Sequence, residues 1–292
     1  MSAKKNVSLA IIFALLFFSG AAFGVTGHEN FFRMIDANDV AGIEAAIANG
    51  FELNRAYGEK TNERYPLIYA IWLRPKPDVV EALLDAGADT EVMLGDDWST
   101  LSVAAMMYTI GENLAKGRLE KADAARAFDL LLDRGADVNG TGMFGSTPLS
   151  MAVSGGDVLF AYLASKRLID AGAQVNPALG EHGMPPLFWA LAPRLGGPDD
   201  FDHTHLVRLL LRAGADPKTA LGDGSTVLHF ESIDARSARL LLGAGANPNA
   251  IDSRGWTPLD VAFMHDNWRV YDLLRANGGK NGKELDKGQG ER

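Results

Sequence analysis

The sequence has no cysteine and fewer basic than acidic residues. The absence of cysteine among 292 residues excludes disulfides, thiolate zinc sites, iron–sulfur clusters and cysteine nucleophiles. Lys and Arg number 28 against 37 Asp and Glu, a formal net charge of −9, which disfavours nucleic-acid binding because phosphate recognition needs clustered basic residues. The chain also lacks a glycine-rich phosphate loop, a Gly-x-Ser-x-Gly elbow and a His-Glu-x-x-His motif. We therefore expect no enzyme activity, no cofactor and no nucleic-acid partner.

Long apolar runs are absent except near the start of the chain. Lys4 and Lys5 precede an apolar run over residues 7–18, and small residues follow it as far as Gly24. This pattern is typical of a bacterial secretory signal peptide, and cleavage after Ala22 or after Gly24 fits it. The alternative is a retained membrane anchor, but the run is shorter than the roughly 20 residues that span a bilayer. We expect residues 1–24 to be a signal peptide and the mature chain to be periplasmic or secreted, without a membrane segment.

The remainder of the chain is built from two alternating strings. The first string joins two apolar residues to a closing glycine, which alanine follows in most copies, as in Leu131-Leu132-Asp133-Arg134-Gly135-Ala136. Its copies lie at 83–89, 131–139, 168–176, 210–216, 241–247 and 273–279, with a weaker first copy at 46–50. The other string, Ser/Trp-Thr-Pro-Leu, is clearest at 146–152 and 256–262 and degenerate at 65–67, 99–101, 185–187 and 225–228.

Each string predicts one end of a helix. Thr147-Pro148 predicts a helix start, since the hydroxyl can cap the first turn and proline costs nothing there. Gly135 predicts a helix end, because glycine adopts the left-handed conformation without a Cβ clash. A helix pair of this size cannot bury its own apolar face and must stack on its neighbours.

These strings resemble the Thr-Pro-Leu-His-x-Ala opening and Gly-Ala-Asp close of the ankyrin repeat, and the resemblance covers about residues 29–279. It implies an all-α ankyrin-repeat solenoid of about seven helix-turn-helix units with projecting β-turn fingers, in one domain over 25–279. It also implies that the fingers and first helices form a surface for gripping other proteins.

Variation in repeat length predicts insertions within the helix pairs and an irregular unit. We expect lengthened helices around 105–127 and a loop around 193–205, which is rich in glycine and proline. The repeat over 225–245 is short, and we expect it to be the least regular. Residues 280–292, charged and glycine-rich, are expected to form a disordered tail.

Several polar and aromatic residues receive structural roles. We expect His229, which holds the position of the ankyrin histidine, to act through hydrogen bonds, and Trp256 and Trp268 to pack between repeats. Acidic residues near the start of the second helices are expected to cap them. These are Asp39, Asp78, Asp157 and Asp266.

The finger positions carry the candidate partner-binding site. Counting from each turn glycine, the seventh finger position holds Leu94, Leu179 and Leu221, where Asp252 shows the acidic residue usual in the ankyrin pattern. Further apolar finger residues accompany them: Met93, Trp98, Met143 and Phe144. Exposed apolar side chains on projecting turns are typical of a partner site. The alternative is that the leucines pack on neighbouring fingers as a local core.

One group of residues has metal-ligand chemistry. Carboxylates and imidazoles lie together at Asp199, Asp200, Asp202, His203 and His205. His203 and His205 are two residues apart, so on a helix they would point to different faces. An acidic stretch before a helix is also what the helix dipole favours, and we assign no metal to this group.

The sequence therefore favours non-catalytic recognition of another protein in the bacterial envelope by a monomer. The narrower hypothesis is an inhibitor or immunity partner of an envelope-acting enzyme or toxin. The alternatives are a periplasmic stress or scaffolding factor and a metal-dependent activity at the Asp/His loop. The acidic balance predicts a partner with a basic patch.

Overall fold

The computed structural model describes the chain in segments: residues 27–58, 64–72, 75–94, 98–110, 121–142, 145–177, 184–192 and 204–289. The chain divides into two compact units, unit 1 (Met1–Met143) and unit 2 (Phe144–Arg292). The predicted signal peptide lies outside the described residues, as do most of the predicted loop at 193–205 and the middle of the insertion at 105–127. Among the described segments, no helix is long and apolar enough to cross a membrane.

The described residues of unit 1 form three helix pairs and one small hairpin. Its elements are α1 (Gly27–Ala37), α2 (Val40–Ala48), α3 (Pro66–Ile71), α4 (Pro77–Asp85), β1 (Met93–Leu94), β2 (Trp98–Ser99), α5 (Thr100–Thr109) and α6 (Lys121–Asp133). The first helices of the pairs pack in the order α1, α3, α5, and the second helices pack in the order α2, α4, α6. The unit is therefore a two-layer stack of helix pairs.

Unit 2 repeats this arrangement. Its elements are α7 (Pro148–Ser154), α8 (Val158–Asp170), α9 (Pro186–Trp189), α10 (Thr204–Arg212), the 3₁₀ helix η1 (Val227–His229), α11 (Ala235–Gly243), α12 (Pro258–Met264), α13 (Trp268–Ala276) and α14 (Gly282–Gln289). The second helices pack in the order α8, α10, α11, α13, and α12 packs against both η1 and α13.

The two sequence strings mark helix starts and helix ends in the structure, as predicted, and they supply buried core residues. Thr147 accepts a hydrogen bond from the Ser150 N–H at 3.2 Å, and Thr257 caps α12 in a capping box with Asp260. Glycines with positive φ follow the second helices, for example Gly135 at +78° and Gly245 at +96°. The leucine four residues before each turn glycine is fully buried in six repeats: Leu83, Leu131, Leu168, Leu210, Leu241 and Leu274.

The expected caps are confirmed at two of four positions. Asp39 accepts from the Gly42 N–H at 2.9 Å, and Asp157 accepts from the Phe160 N–H at 3.3 Å. The expectation is wrong for Asp78, because Pro77 occupies the first helical position and Lys76 becomes the N-cap of α4. It is also wrong for Asp266, whose backbone takes a φ of +53° so that Asn267 caps α13.

The irregular repeat and the chain end show how tertiary packing changes local structure. The first helix of the short repeat is only the 3₁₀ helix η1, in agreement with the expected irregularity. Residues after 280 differ from the expected disordered tail, since Gly282–Gln289 form α14. Asn281 and Glu284 cap it reciprocally, and Glu284 also pairs with Arg275 at 2.8 Å.

Candidate functional site

The finger between α4 and α5 is a hairpin that presents two predicted binding residues. β1 and β2 pair antiparallel, with Met93 opposite Ser99 and Leu94 opposite Trp98. The side chains of Met93 and Trp98 are half-buried, which leaves part of each in contact with solvent. Ser99 is buried and caps α5 by accepting from the Ser102 N–H at 3.2 Å. The start of the first helix therefore anchors the hairpin.

Asparagines join successive fingers within each unit. The Asn54 side chain donates to the Gly87 carbonyl at 3.2 Å and accepts from the Asp89 N–H at 2.8 Å. Asn176 makes the same two bonds to Gly214 and Asp216, at 2.8 and 2.9 Å. Each asparagine satisfies backbone groups of the following repeat, so the base of each of these fingers is fixed before any partner binds.

A further finger, between α10 and η1, carries Leu221. Its N–H donates to the Ser225 carbonyl at 2.8 Å, and its carbonyl accepts from the Gly224 N–H at 2.8 Å. The Leu221 side chain is half-buried. In the next finger, the apolar residue Ile251 is 46% exposed and is not among the predicted binding residues.

The structure therefore describes some of the predicted binding residues and not others. Met93 and Trp98 lie on one hairpin in unit 1, where Leu94 is described by its backbone only, and Leu221 lies in unit 2. Met143, Phe144 and Leu179 fall outside the described residues. The partner-binding assignment of all seven residues remains a prediction.

In the first finger, the apolar residues pack on one another and on the first helix. Phe51 stacks on Phe31 with ring centroids 3.7 Å apart and on Tyr57 at 5.0 Å. The Arg64 guanidinium lies 4.6 Å from the Phe32 ring centre and pairs with Glu29 at 3.0 Å. Phe31, Phe32 and Tyr57 are all buried, so this finger forms a local aromatic core rather than an exposed surface.

The last full repeat exposes three large apolar residues whose exposure the sequence pattern did not predict. Phe263, Met264 and Trp268 are 55%, 58% and 50% exposed, and the rings of Phe263 and Trp268 meet edge to face at 5.6 Å. The expectation that Trp268 packs between repeats is wrong, because the first position of α13 faces solvent beside the end of α12. The available signal was the position of Phe263 and Met264, directly after the buried Val261 and Ala262.

Two buried titratable groups support the fingers of unit 2. Burial would raise the pKa of Asp252, but hydrogen bonds from Arg254 and from the Trp256 N–H outweigh it, and the pKa lies below its usual value. His229 accepts at Nδ1 from the Thr226 N–H at 3.0 Å, and its Nε2 lies 3.2 Å from the Trp256 carbonyl. Burial lowers the pKa of His229. The hydrogen-bonding role expected for His229 is confirmed, and both groups are structural.

Metal chemistry has no geometric support in the described part of the chain. No group of three or more His, Asp or Glu side chains that could hold an ion occurs there. Asp199, Asp200, Asp202 and His203 lie outside it, and His205 is an exposed residue of α10.

Stacked helix pairs, turn glycines and projecting fingers define the class: the fold is an all-α ankyrin-repeat solenoid. The ankyrin repeat domain of Bcl-3 has the same fold, with a TM-score of 0.64 and 22% identity over 87% of this chain and 100% of that chain.

Sequence relatives support the ankyrin-repeat family, although no family model matches the chain. A stretch of 100 residues is 40% identical to human ankyrin repeat and SOCS box protein 6, covering 34% of this chain and 22% of that protein. A stretch of 259 residues is 29% identical to human ankyrin repeat and SOCS box protein 16, covering 74% and 52%. The chain spans about a fifth of the first relative and about half of the second. These likenesses support protein–protein interaction in general.

Proposed function

We propose that the chain is a non-catalytic recognition protein that binds another protein through its fingers. The observation that carries this proposal is the hairpin between α4 and α5, where Met93 and Trp98 lie on the paired strands β1 and β2 and keep part of their side chains in solvent. Large apolar side chains of this kind supply most of the binding energy in protein interfaces. Ser99 anchors the base of this hairpin to the start of α5, and an anchored base loses little conformational entropy on binding, which favours affinity.

The charge around this hairpin supports a partner with a basic patch. Unit 1 contains 13 basic and 20 acidic residues, whereas unit 2 contains 15 basic and 17 acidic residues. Asp89 and Glu91 lie in the segment directly before β1 and are exposed. Carboxylates around an apolar contact raise the association rate of a basic partner and disfavour acidic ones. We propose that the protein acts as a monomer in this role.

We further propose that the protein works in the bacterial envelope, periplasmic or secreted, as an inhibitor or immunity partner of an envelope-acting enzyme or toxin. The signal-like pattern of residues 1–24 supports export, and a finger surface suits an occluding inhibitor. N-terminal sequencing of the protein recovered from the periplasm of a producing bacterium tests the location. A mature chain that starts at Phe23 or Val25 is the expected result, and recovery of the whole chain from the cytoplasm would contradict it.

The binding proposal is tested with the double variant Met93→Ser, Trp98→Ser. Partners captured from envelope extract are identified by mass spectrometry, purified and titrated against the wild type and the variant. We expect the variant to weaken binding by about tenfold or more, with an unchanged circular dichroism spectrum. Leu159→Ser, which removes a leucine that is 62% exposed on α8, is the matched control. Equal affinity of the wild type and the finger variant would refute the assignment.

A further inference from the structure

The second helices of the last repeats expose a row of arginines that is separate from the fingers. Arg208 and Arg239 each lie six residues before the turn glycine of their repeat, and Arg236 and Arg269 each lie nine residues before theirs. All four side chains are exposed. Residues three apart share one face of a helix, and α11 packs between α10 and α13. The four residues, which we call the arginine face, therefore lie on neighbouring helices at matching heights.

The same positions in unit 1 are neutralised by ion pairs. Arg126 of α6 bridges to Asp78 at 3.2 Å and to Glu81 at 2.7 Å on α4, and these three residues occupy the positions nine and six before their turn glycines. In the described part of unit 2, Arg208, Arg239 and Arg269 form no ion pair. Arg208, Arg239 and Arg269 therefore carry positive charge that no ion pair among the described residues neutralises.

Among the described residues near the arginine face, two of the acidic side chains are already engaged. Asp234 caps α11 by accepting from the Ser237 N–H at 2.9 Å and from its hydroxyl at 2.6 Å. Glu231 lies 3.4 Å from the His265 imidazole. Asp266 and Asp272 are exposed, and both belong to the last repeat only. Positive charge consequently dominates on α10 and α11.

An apolar edge adjoins this charge. Trp268 directly precedes Arg269 and packs edge to face on Phe263, and Met264 follows Phe263. Each of these apolar side chains is at least half exposed, and the contact between Phe263 and Trp268 places exposed apolar surface next to Arg269. Contiguous exposed apolar residues rimmed by charge mark interaction surfaces.

We propose that the arginine face, with Phe263, Met264 and Trp268 at its edge, docks an acidic protein segment that carries apolar side chains. The guanidinium group is suited to this partner because it binds carboxylates through two parallel hydrogen bonds. The apolar edge provides the anchor that a purely ionic contact lacks. A long polyanion is disfavoured, since the whole chain carries a net charge of −9, whereas a short acidic segment meets only the local field.

The test uses the full chain and a short fluorescein-labelled peptide rich in glutamate and phenylalanine. Fluorescence anisotropy should show binding that weakens with added salt, and no binding of the same peptide with lysine in place of glutamate. The double variant Arg239→Glu, Arg269→Glu should bind the acidic peptide about tenfold more weakly or worse, and Trp268→Ser should weaken it as well. Lys218→Glu, a charge reversal at an exposed finger lysine, is the matched control and should bind normally.

Three results would overturn the proposal. They are no binding of the acidic peptide to the wild type, equal binding to the double arginine variant, and tighter binding of phosphatidylserine vesicles or single-stranded DNA than of the peptide. The finger variant Met93→Ser, Trp98→Ser should keep its affinity for this peptide. Failure of the arginine face and failure of the finger proposal can therefore be told apart.

Discussion

At the residue scale, His229 couples two successive repeats in its neutral form. Its Nδ1 accepts from the Thr226 N–H, so this nitrogen must be unprotonated, and its Nε2 reaches the Trp256 carbonyl of the next repeat at 3.2 Å. Burial lowers the pKa of His229, Asp252 and Asp223 act to raise it, and Arg254 acts to lower it. Protonation would therefore break the helix cap that Thr226 and His229 form together.

We predict that this histidine makes the protein less stable in mild acid. The pKa of His229 is lower in the folded state than the roughly 6.5 of an unfolded chain, so the unfolded state takes up the proton first. Stability is full above about pH 6.5 and falls as the pH drops, by at most about 1.4 kcal/mol per pH unit. His229→Asn keeps an acceptor near the Nδ1 position without titrating, and it should flatten the dependence of Tm on pH.

The same substitution at exposed His205 is the control and should leave the slope of Tm against pH as it is in the wild type. An identical slope for His229→Asn and the wild type would contradict the role assigned to His229.

The role of a single residue was predictable where its hydrogen-bond partners are backbone groups nearby in the repeat. His229 follows a Thr-x-Leu string, and its bonds are local to that turn or reach the adjacent finger. Trp268 was not predictable, because its exposure depends on how α12 ends and how α13 begins. Asp266 and Asn267 are both capping residues by type, and only the positive φ of Asp266 decides that Asn267 caps the helix.

At the element scale, neighbouring fingers of unit 2 pack backbone against backbone. Gly224 has a φ of +78°, and a Cβ there would lie 2.8 Å from the Ile251 carbonyl oxygen of the next finger. The Ser253 N–H donates to the Asp223 carbonyl at 2.7 Å and completes this contact. Gly255, at the same place in the next finger, has the same φ of +78° and open space around its missing Cβ.

Alanine substitutions at these two glycines measure how strongly the contact between neighbouring fingers affects stability. Gly224→Ala and Gly255→Ala should both lose about 1–2 kcal/mol, because alanine is strained at positive φ. Gly224→Ala should lose at least about 1 kcal/mol more, because its methyl group meets backbone that cannot rotate away. Chemical denaturation of both variants gives the difference directly, and equal free energies of unfolding would show that adjacent fingers do not constrain each other.

In the terminal helix α14, a local capping signal and the overall composition of the segment predict different structures. Asn281 and Glu284 form a reciprocal cap, and Arg275 binds both Glu284 carboxylate oxygens at 2.8 Å. The Arg275 side chain, followed by the Asn281 N–H, lowers the pKa of Glu284 to about 2. The spacing Asn-x-x-Glu is readable as a helix start, but the surrounding glycines and charges are also typical of disorder. The contact with Arg275 is tertiary, and sequence spacing alone does not reveal it.

At the scale of the whole molecule, stability comes from stacking without covalent cross-links. With no cysteine in the chain, the folded state depends on residues that recur once per repeat and fill the space between neighbours. The buried leucine four residues before each turn glycine is the most regular of them, and Leu241 is one example.

Removing one such leucine should have a large effect on stability. Leu241→Ala should lower the free energy of unfolding by about 2–5 kcal/mol, because the alanine leaves a cavity between α11 and its neighbours. Leu159→Ala, at a leucine 62% exposed on α8, should change it by less than about 0.5 kcal/mol. Urea denaturation followed by circular dichroism measures both, and a small loss for Leu241→Ala would mean that stacking is not the main source of stability.

Charge is also organised at this scale. The acidic excess that the sequence shows as a single number lies mostly in unit 1, while unit 2 carries the exposed arginine face. A partner with a basic patch and a partner with an acidic segment are therefore compatible, because each would meet a different surface.

Residue type and repeated spacing are sufficient to predict the helix pairs, their turn glycines and their buried leucines. Thr147, Gly135 and Leu131 each fulfil the role that their position in the repeat predicts. The exposure of apolar side chains and the pairing of charges instead depend on which elements pack together in the folded chain. Arg126 is neutralised while Arg239 is not, because ion pairing depends on which helix lies alongside, and that contact joins residues far apart in sequence.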